Sequence, residues 1–166
     1  DIVDYLLYVD KKTGLPNREK LNIYIGEMAG KVLPEAFTCF TLNLDNLSEL
    51  TKRFGYTVGD GVLKDFAGLV QLMGDTEGMR GYNGIGRFVV FFEECSSKKA
   101  AAMIRILDNQ VEEYNSLNPE YPIRYTATWA TTEETDTYEI RELLRLSQKK
   151  WKQMEKEKKD KTEEET

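Results

Sequence analysis

The 166-residue chain contains no histidine. That absence removes imidazole general bases, imidazole metal ligands and every Ser–His or Cys–His nucleophile pair. Cysteine is scarce too, with only Cys39 and Cys95. They form no CxxC pattern, so they read as buried, reduced thiols of a cytoplasmic protein. No apolar run approaches the ~20 residues a membrane-spanning helix needs, and the N-terminus is not signal-like. Membrane contact by this segment is therefore not expected. Positive charge is in deficit: 23 Lys and Arg face 29 Asp and Glu, for a net charge of -6. A binder of nucleic-acid polymers needs a basic face to displace counterions, and this balance argues against one. A pocket for a single nucleotide stays open.

What is present is an ordinary globular balance, 40% hydrophobic and 31% charged, enough for one domain with a real core. The chain starts at Asp1 without a methionine, as expected of a piece of a longer protein. Its expected place is the cytoplasm, including as the cytoplasmic part of a membrane-anchored protein. Residues 1–16 read as a linker and the end of a preceding helix, and residues 17–155 as the domain proper. Residues 156–166, "KEKKDKTEEET", read as a charged tail, a frayed helix or, as expected here, disordered.

Along the domain, Leu21, Ile25, Met28 and Val32 recur at helical spacing over 17–33, behind Asn17 as N-cap and before Pro34 as stop. "AFTCFTLNL", 36–44, reads as a strand. Asn46 can cap a short helix carrying Leu47, Leu50 and Phe54, closed by Gly55. A second helix, about 58–73, aligns Val62, Phe66, Leu69 and Met73 and ends at Gly74. Residues 79–83 and 87–92 pair as a hairpin around the tip Gly84–Gly86, where the glycines allow a backbone that side chains would forbid. Phe88, Phe91 and Phe92 read as core strand. Ser96 and Ser97 cap a long helix striped with Ala100, Ile104, Leu107, Val111 and Tyr114. "IRYTATWA", 123–130, alternates as a strand on which Tyr125 and Trp129 share a packing face. A last helix runs from about Tyr138 through Ile140, Leu143, Leu144 and Trp151, with Lys149, Lys150 and Lys152 as a solvated face. This order predicts an α+β fold of the ferredoxin-like, nucleotide-cyclase type: one mixed β-sheet with helices packed on it.

Three stretches resemble one family. "DKKTGLPNR", 10–18, is similar to the D-x-L-T-G-L-x-N-R opening of GGDEF domains, the bacterial diguanylate cyclases that join two GTP molecules into cyclic di-GMP. "LNLDNLSELTKRFGYTVGDGVL", 42–63, resembles their D-x-D-x-F-K-x-I-N-D-x-x-G-H-x-x-G-D-x-x-L segment. "YNGIGRFVVFF", 82–92, stands where R-Y-G-G-D-E-F-x-x-L-L belongs. Order and spacing agree over most of the chain. The signature itself is broken: Gly84, Ile85, Gly86, Arg87 and Phe88 replace G-G-D/E-E-F.

The resemblance implies a Mg2+ site between two carboxylates and a triphosphate, because a hard dication prefers charged oxygen ligands. Those carboxylates match Asn43, an amide, and Gly86, which has no side chain. Mg2+ binding is accordingly doubtful here, and no catalytic residue is assigned. Asp45 lies two residues beyond Asn43, on the same side of the strand by parity. It is either a weak metal candidate or a helix cap. Guanine recognition in the family uses an Asn, matched by Thr51, and an Asp, matched by Asp60. Asp60 equally suits the first turn of its helix, where the dipole favours a carboxylate. The family's two phosphate-binding lysines match Ser48 and fall near Glu155. Arg87 could bind phosphate bidentately, pair with Asp45 or point to solvent. The R-x-x-D pair of the inhibitory product site matches Asp75 and Gly78, so no such site is expected, and Arg80 nearby reads as a solvated loop residue. "GYTVGDG" lacks the Lys and Ser/Thr of a P-loop.

The reading that follows is a degenerate GGDEF domain, not an enzyme. It would regulate or scaffold in a bacterial cyclic di-GMP signalling protein, with GTP sensing, neighbouring domains and a homodimer among its expected partnerships. One alternative is an active cyclase with a rearranged site using Asp45 and Asp60. The other is a pure protein-interaction module.

Overall fold

A computed structural model of the chain describes residues 1–74 and 77–165. Four strands form one sheet: β1 (Thr38–Leu44), β2 (Gly78–Tyr82), β3 (Arg87–Phe92) and β4 (Tyr125–Thr131), in the spatial order β2-β3-β1-β4. Every neighbouring pair is antiparallel. The expectation of a mixed sheet is corrected here. Each crossover skips a strand position, so β1 and β2, and likewise β3 and β4, run the same way without touching. This split arrangement is the ferredoxin-like pattern.

The helices are α1 (Ile2–Tyr8), α2 (Arg18–Met28), α3 (Leu47–Phe54), α4 (Tyr56–Gln71), α5 (Ser97–Leu117), a short α6 (Thr132–Thr135) and α7 (Ile140–Glu165). Strand alternation divides them between two cores. Phe40, Leu42 and Leu44 of β1 join Phe88, Val90 and Phe92 of β3 under α3, α4 and α5, against Leu50, Phe66 and Leu107. Cys39, Val89 and Phe91 face the other way, against Leu21 of α2 and Ile140 and Leu143 of α7. Both cysteines are buried free thiols, and burial pushes both up from the ordinary thiol value.

Several local expectations are adjusted by tertiary contacts. Helix α2 begins behind Asn17, whose side chain accepts from the Lys20 N–H, but it stops at Met28. Leu33 is then buried, and Val32, assigned to the helical stripe, is 85% exposed. Asn46 precedes α3 without a side-chain cap bond. Its amide instead donates to the Pro122 carbonyl (2.7 Å) and accepts from the Arg124 N–H (3.2 Å), pinning the entry to β4. Arg80, expected in solvent, is 4% exposed. Its guanidinium donates to the carbonyls of Val70 and Met73 at the end of α4 and to that of Gly78 in its own strand. Residues 156–165, expected to be disordered, continue α7.

Candidate functional site

The opening motif folds into a brace. Asp10 Oδ2 accepts from the Thr13 N–H and hydroxyl, both at 2.8 Å. Gly14 turns the chain at φ +76°, and Leu15 drops into the core. The Pro16 carbonyl then accepts from the Tyr82 N–H at 2.9 Å. Arg18 reaches the hairpin, donating to Asn83 Oδ1 (3.1 Å) and to its carbonyl (2.6 Å). The motif therefore clamps the base of the β2–β3 turn.

The turn is left-handed throughout: φ is +85° at Gly84, +56° at Ile85 and +76° at Gly86. Glycine adopts this freely, but a β-branched residue does not, and Ile85 is nonetheless 79% exposed at the tip. Gly86 is held on both sides. Its N–H donates to the Tyr82 hydroxyl at 2.8 Å, and its carbonyl accepts from the Leu44 N–H at 2.8 Å. Burial pushes the Tyr82 hydroxyl up from its ordinary value, while the Gly86 bond pulls the other way. A Cβ on Gly86 would lie 3.0 Å from the Leu44 carbonyl oxygen.

Register brings Asn43 opposite Arg87 on one side and Thr126 on the other. Beyond them, at the end of β1, Asp45 collects donors. Asn43 Nδ2 donates to Asp45 Oδ1 at 2.7 Å, and the Thr126 hydroxyl donates to Oδ2 at 2.6 Å. Lys158 of α7 donates to Thr126 Oγ1 at 2.7 Å and stands 3.9 Å from Oδ2. About two turns before Lys158, Trp151 lies under Arg87, with the guanidinium 4.8 Å from the indole ring. A cavity of about 410 Å³ opens beside these groups. Its lining includes Asn43, Asp45, Ser48, Thr51, Arg87 and Trp151. Lys52 and Glu155 also line it.

A family model described as diguanylate cyclase, GGDEF domain, matches residues 7–161. The chain belongs to the GGDEF family. Among solved structures, a diguanylate cyclase/phosphodiesterase from Caldicellulosiruptor saccharolyticus is similar at 19% identity, over 86% of this chain and 83% of that one, with a TM-score of 0.67. Vibrio cholerae LapD, an S helix-GGDEF-EAL structure bound to c-di-GMP, is similar at 15% identity over 78% of this chain and 30% of that one, with a TM-score of 0.62. The active GGEEF domain of a Vibrio cholerae diguanylate cyclase is similar at 20% identity, over 68% and 72%, with a TM-score of 0.60. At these identities the likeness establishes the fold. A search of curated proteins found no match.

In this GGDEF domain the sequence-derived residues are only partly brought together. Asn43, Asp45, Thr51 and Arg87 share the cavity, but Asp60 does not line it. Asp60 is 3.4 Å from Lys12 of the opening motif. The helix starts at Tyr56, so Asp60 lies in its second turn, and the first-turn dipole argument does not apply. The Thr51 hydroxyl turns back to the Leu47 carbonyl at 2.9 Å, and Thr51 packs so closely on Gly59 that a Cβ there would meet its Oγ1 at 2.3 Å. Asp45 caps no helix, because its oxygens accept from Asn43 and Thr126. Arg87 does not pair with Asp45; it is exposed, with its guanidinium over the Trp151 ring. Phe88 is fully buried. Of the product-site pair, Asp75 lies outside the described residues, and Gly78 packs against the Phe92 ring. Sequence reasoning missed Lys158, Lys52 and the approach of Trp151. For Lys158 a signal existed in its spacing: Ser147, Trp151, Glu155 and Lys158 recur at helical intervals on one face of α7.

Proposed function

We propose that this GGDEF domain is catalytically silent and serves a longer signalling chain as a regulatory or scaffolding unit. The observation that carries the reading is the state of Asp45. It is the one carboxylate at the end of β1, and both of its oxygens already accept from protein donors, with an ammonium close by. Asn43 turns its NH2 toward that carboxylate, and its amide oxygen supplies only a neutral ligand where the family has a charged one. Gly86 brings no side chain. Among the described residues no group of three or more Asp, Glu, Cys or His side chains is placed to hold a metal ion. These residues do not fit the two-carboxylate Mg2+ site that the family's reaction requires.

The charge of the cavity supports the same reading. Lys52 and Arg87 are matched on its lining by Asp45 and Glu155, which leaves no surplus cation for a triphosphate. The LapD structure, in which a GGDEF domain stands with an S helix and an EAL domain, supports a role beside neighbouring domains.

Calorimetric titration with GTP and Mg2+, followed by product analysis of the same sample, tests the reading. No cyclic di-GMP is expected. Heat without product would make the regulatory role a GTP-sensing one. Mg2+-dependent formation of cyclic di-GMP that vanishes in Asp45→Ala would overturn the proposal in favour of a rearranged active site.

A further inference from the structure

The geometry points to Lys158 as a built-in cation: α7 lays its ammonium on the strand-end carboxylate network and thereby keeps a divalent ion out of it. This inference rests on the reading of the domain as silent and names the group that replaces the metal.

The buried stripe of α7 is Ile140, Leu143, Ser147 and Trp151. It crosses the sheet over β1, where the Ser147 and Thr41 hydroxyls bond at 2.8 Å. Steps of four and three residues past Trp151 keep Glu155 and Lys158 on the same face. The stripe therefore changes from apolar to charged where β1 ends. Trp151, only 5% exposed, fixes the helix one and a half to two turns before Lys158. Six residues enclose a cavity of about 200 Å³: Asn43, Asp45, Thr126, Trp151, Glu155 and Lys158.

The hydrogen bonds run in one direction. Lys158 donates to Thr126, Thr126 donates to Asp45, and Asn43 donates to the other Asp45 oxygen. Both Asp45 oxygens and the Thr126 oxygen accept a donor, and an ammonium stands 3.9 Å from Asp45 Oδ2. An incoming dication must displace two donors and sit near a like charge, and both terms oppose it. Restoring a carboxylate at position 43 alone would then create a pair of carboxylates that Lys158 still guards.

Terbium luminescence sensitised by Trp151 is the direct probe, because the indole lines the same cavity as Asp45. It is measured on the full chain for the wild type, Asn43→Asp, and Asn43→Asp combined with either Lys158→Gln or Lys158→Arg. The wild type should give no saturable emission that depends on Asp45, a measurement that needs no variant to fold. Asn43→Asp/Lys158→Gln should bind terbium at least about tenfold more tightly than Asn43→Asp, since a unit charge some 4 Å away is removed. Lys158→Arg should return the affinity to that of Asn43→Asp. Equal affinity in Asn43→Asp and Asn43→Asp/Lys158→Gln would overturn the role of Lys158 while leaving the silent reading intact. So would wild-type emission that Asp45→Asn abolishes. Cyclic di-GMP production by the wild type would instead sink the silent reading, and the terbium comparison would still decide what Lys158 does.

Discussion

Replacing Gly86 should destabilise the domain by an amount that can be worked out from the turn. Gly86 sits at φ +76°, where an L-residue costs about 1–2 kcal/mol. An added Cβ would also stand 3.0 Å from the Leu44 carbonyl oxygen, a backbone atom. The two segments cannot part cheaply, because the Leu44 N–H is bonded to the Gly86 carbonyl at 2.8 Å. A contact term of about 1 kcal/mol, the scale of a strained core contact, is added. Gly86→Ala should therefore lose about 2–3 kcal/mol, a fall in Tm of about 4–12 °C for a chain of this length. Gly84→Ala is the control. It shares the left-handed backbone (φ +85°), but its Cβ would meet only the movable end of Arg18, so it should show the backbone term of about 1–2 kcal/mol alone. Urea unfolding of the three proteins, at constant m-value, measures both. A Gly86→Ala variant within about 0.5 kcal/mol of wild type, the ordinary scatter of surface changes, would refute the reasoning. The result bears on function, since the carboxylate missing from the signature would have to be restored at this position.

Arg80→Met keeps the aliphatic stem but removes the guanidinium from the carbonyls of Val70, Met73 and Gly78, of which Val70's keeps the Met73 N–H; a loss of about 2–3 kcal/mol is expected by urea unfolding, since charged bonds to buried acceptors are involved. Trp151→Ala should cost about 3–4 kcal/mol through its buried indole, whereas Arg87→Ala, which removes only an exposed cation–π partner, should cost about 0.5–1 kcal/mol; similar losses for the two would contradict the geometry. Burial, aided by Glu93, pushes the Tyr24 hydroxyl up to about 12 from 10. A group that holds its proton longer when folded stabilises below its unfolded value, so stability should fall as pH rises from 10 toward 12. Tyr24→Phe should flatten that fall in pH-dependent melting, and an unchanged profile would count against it.

The fold was legible in the sequence because its main signals are local. The unbroken β-branched and aromatic run of 36–44, the alternation of 123–130, the helical stripe of 96–114 and the glycine-marked hairpin each act within a few residues. The fully antiparallel sheet was less legible, because strand direction depends on which positions the crossovers skip, a property of the whole chain. Asn46 shows the same limit. It has the chemistry of a cap, and only the distant arrival of Pro122 and Arg124 decides that it anchors a loop instead. Arg80 misled for the opposite reason: a lone charge is usually solvated, and the carbonyls that bury it belong to a helix end ten and seven residues earlier.

The candidate site divides along the same line. Where it departs from the family's pattern could be read one position at a time, at Asn43, Gly86, Ser48 and Thr51, because a different side chain is visible in the letter itself. What lies beside those positions could not, because it arrives from α7. "KEKKDKTEEET" looks like a solvated tail when read by composition. Its Lys158 meets the strand end only because α7 lies on the sheet with Trp151 buried and Thr126 presents its hydroxyl from β4. A buried polar atom without a partner costs about 1–3 kcal/mol. Among the described residues no buried side-chain nitrogen or oxygen lacks a partner. Asp45 and Lys158 are exposed, yet Asn43, Thr126 and Lys158 are engaged with Asp45 or with one another, so on the silent reading proposed above reactivation would require undoing contacts as well as restoring side chains.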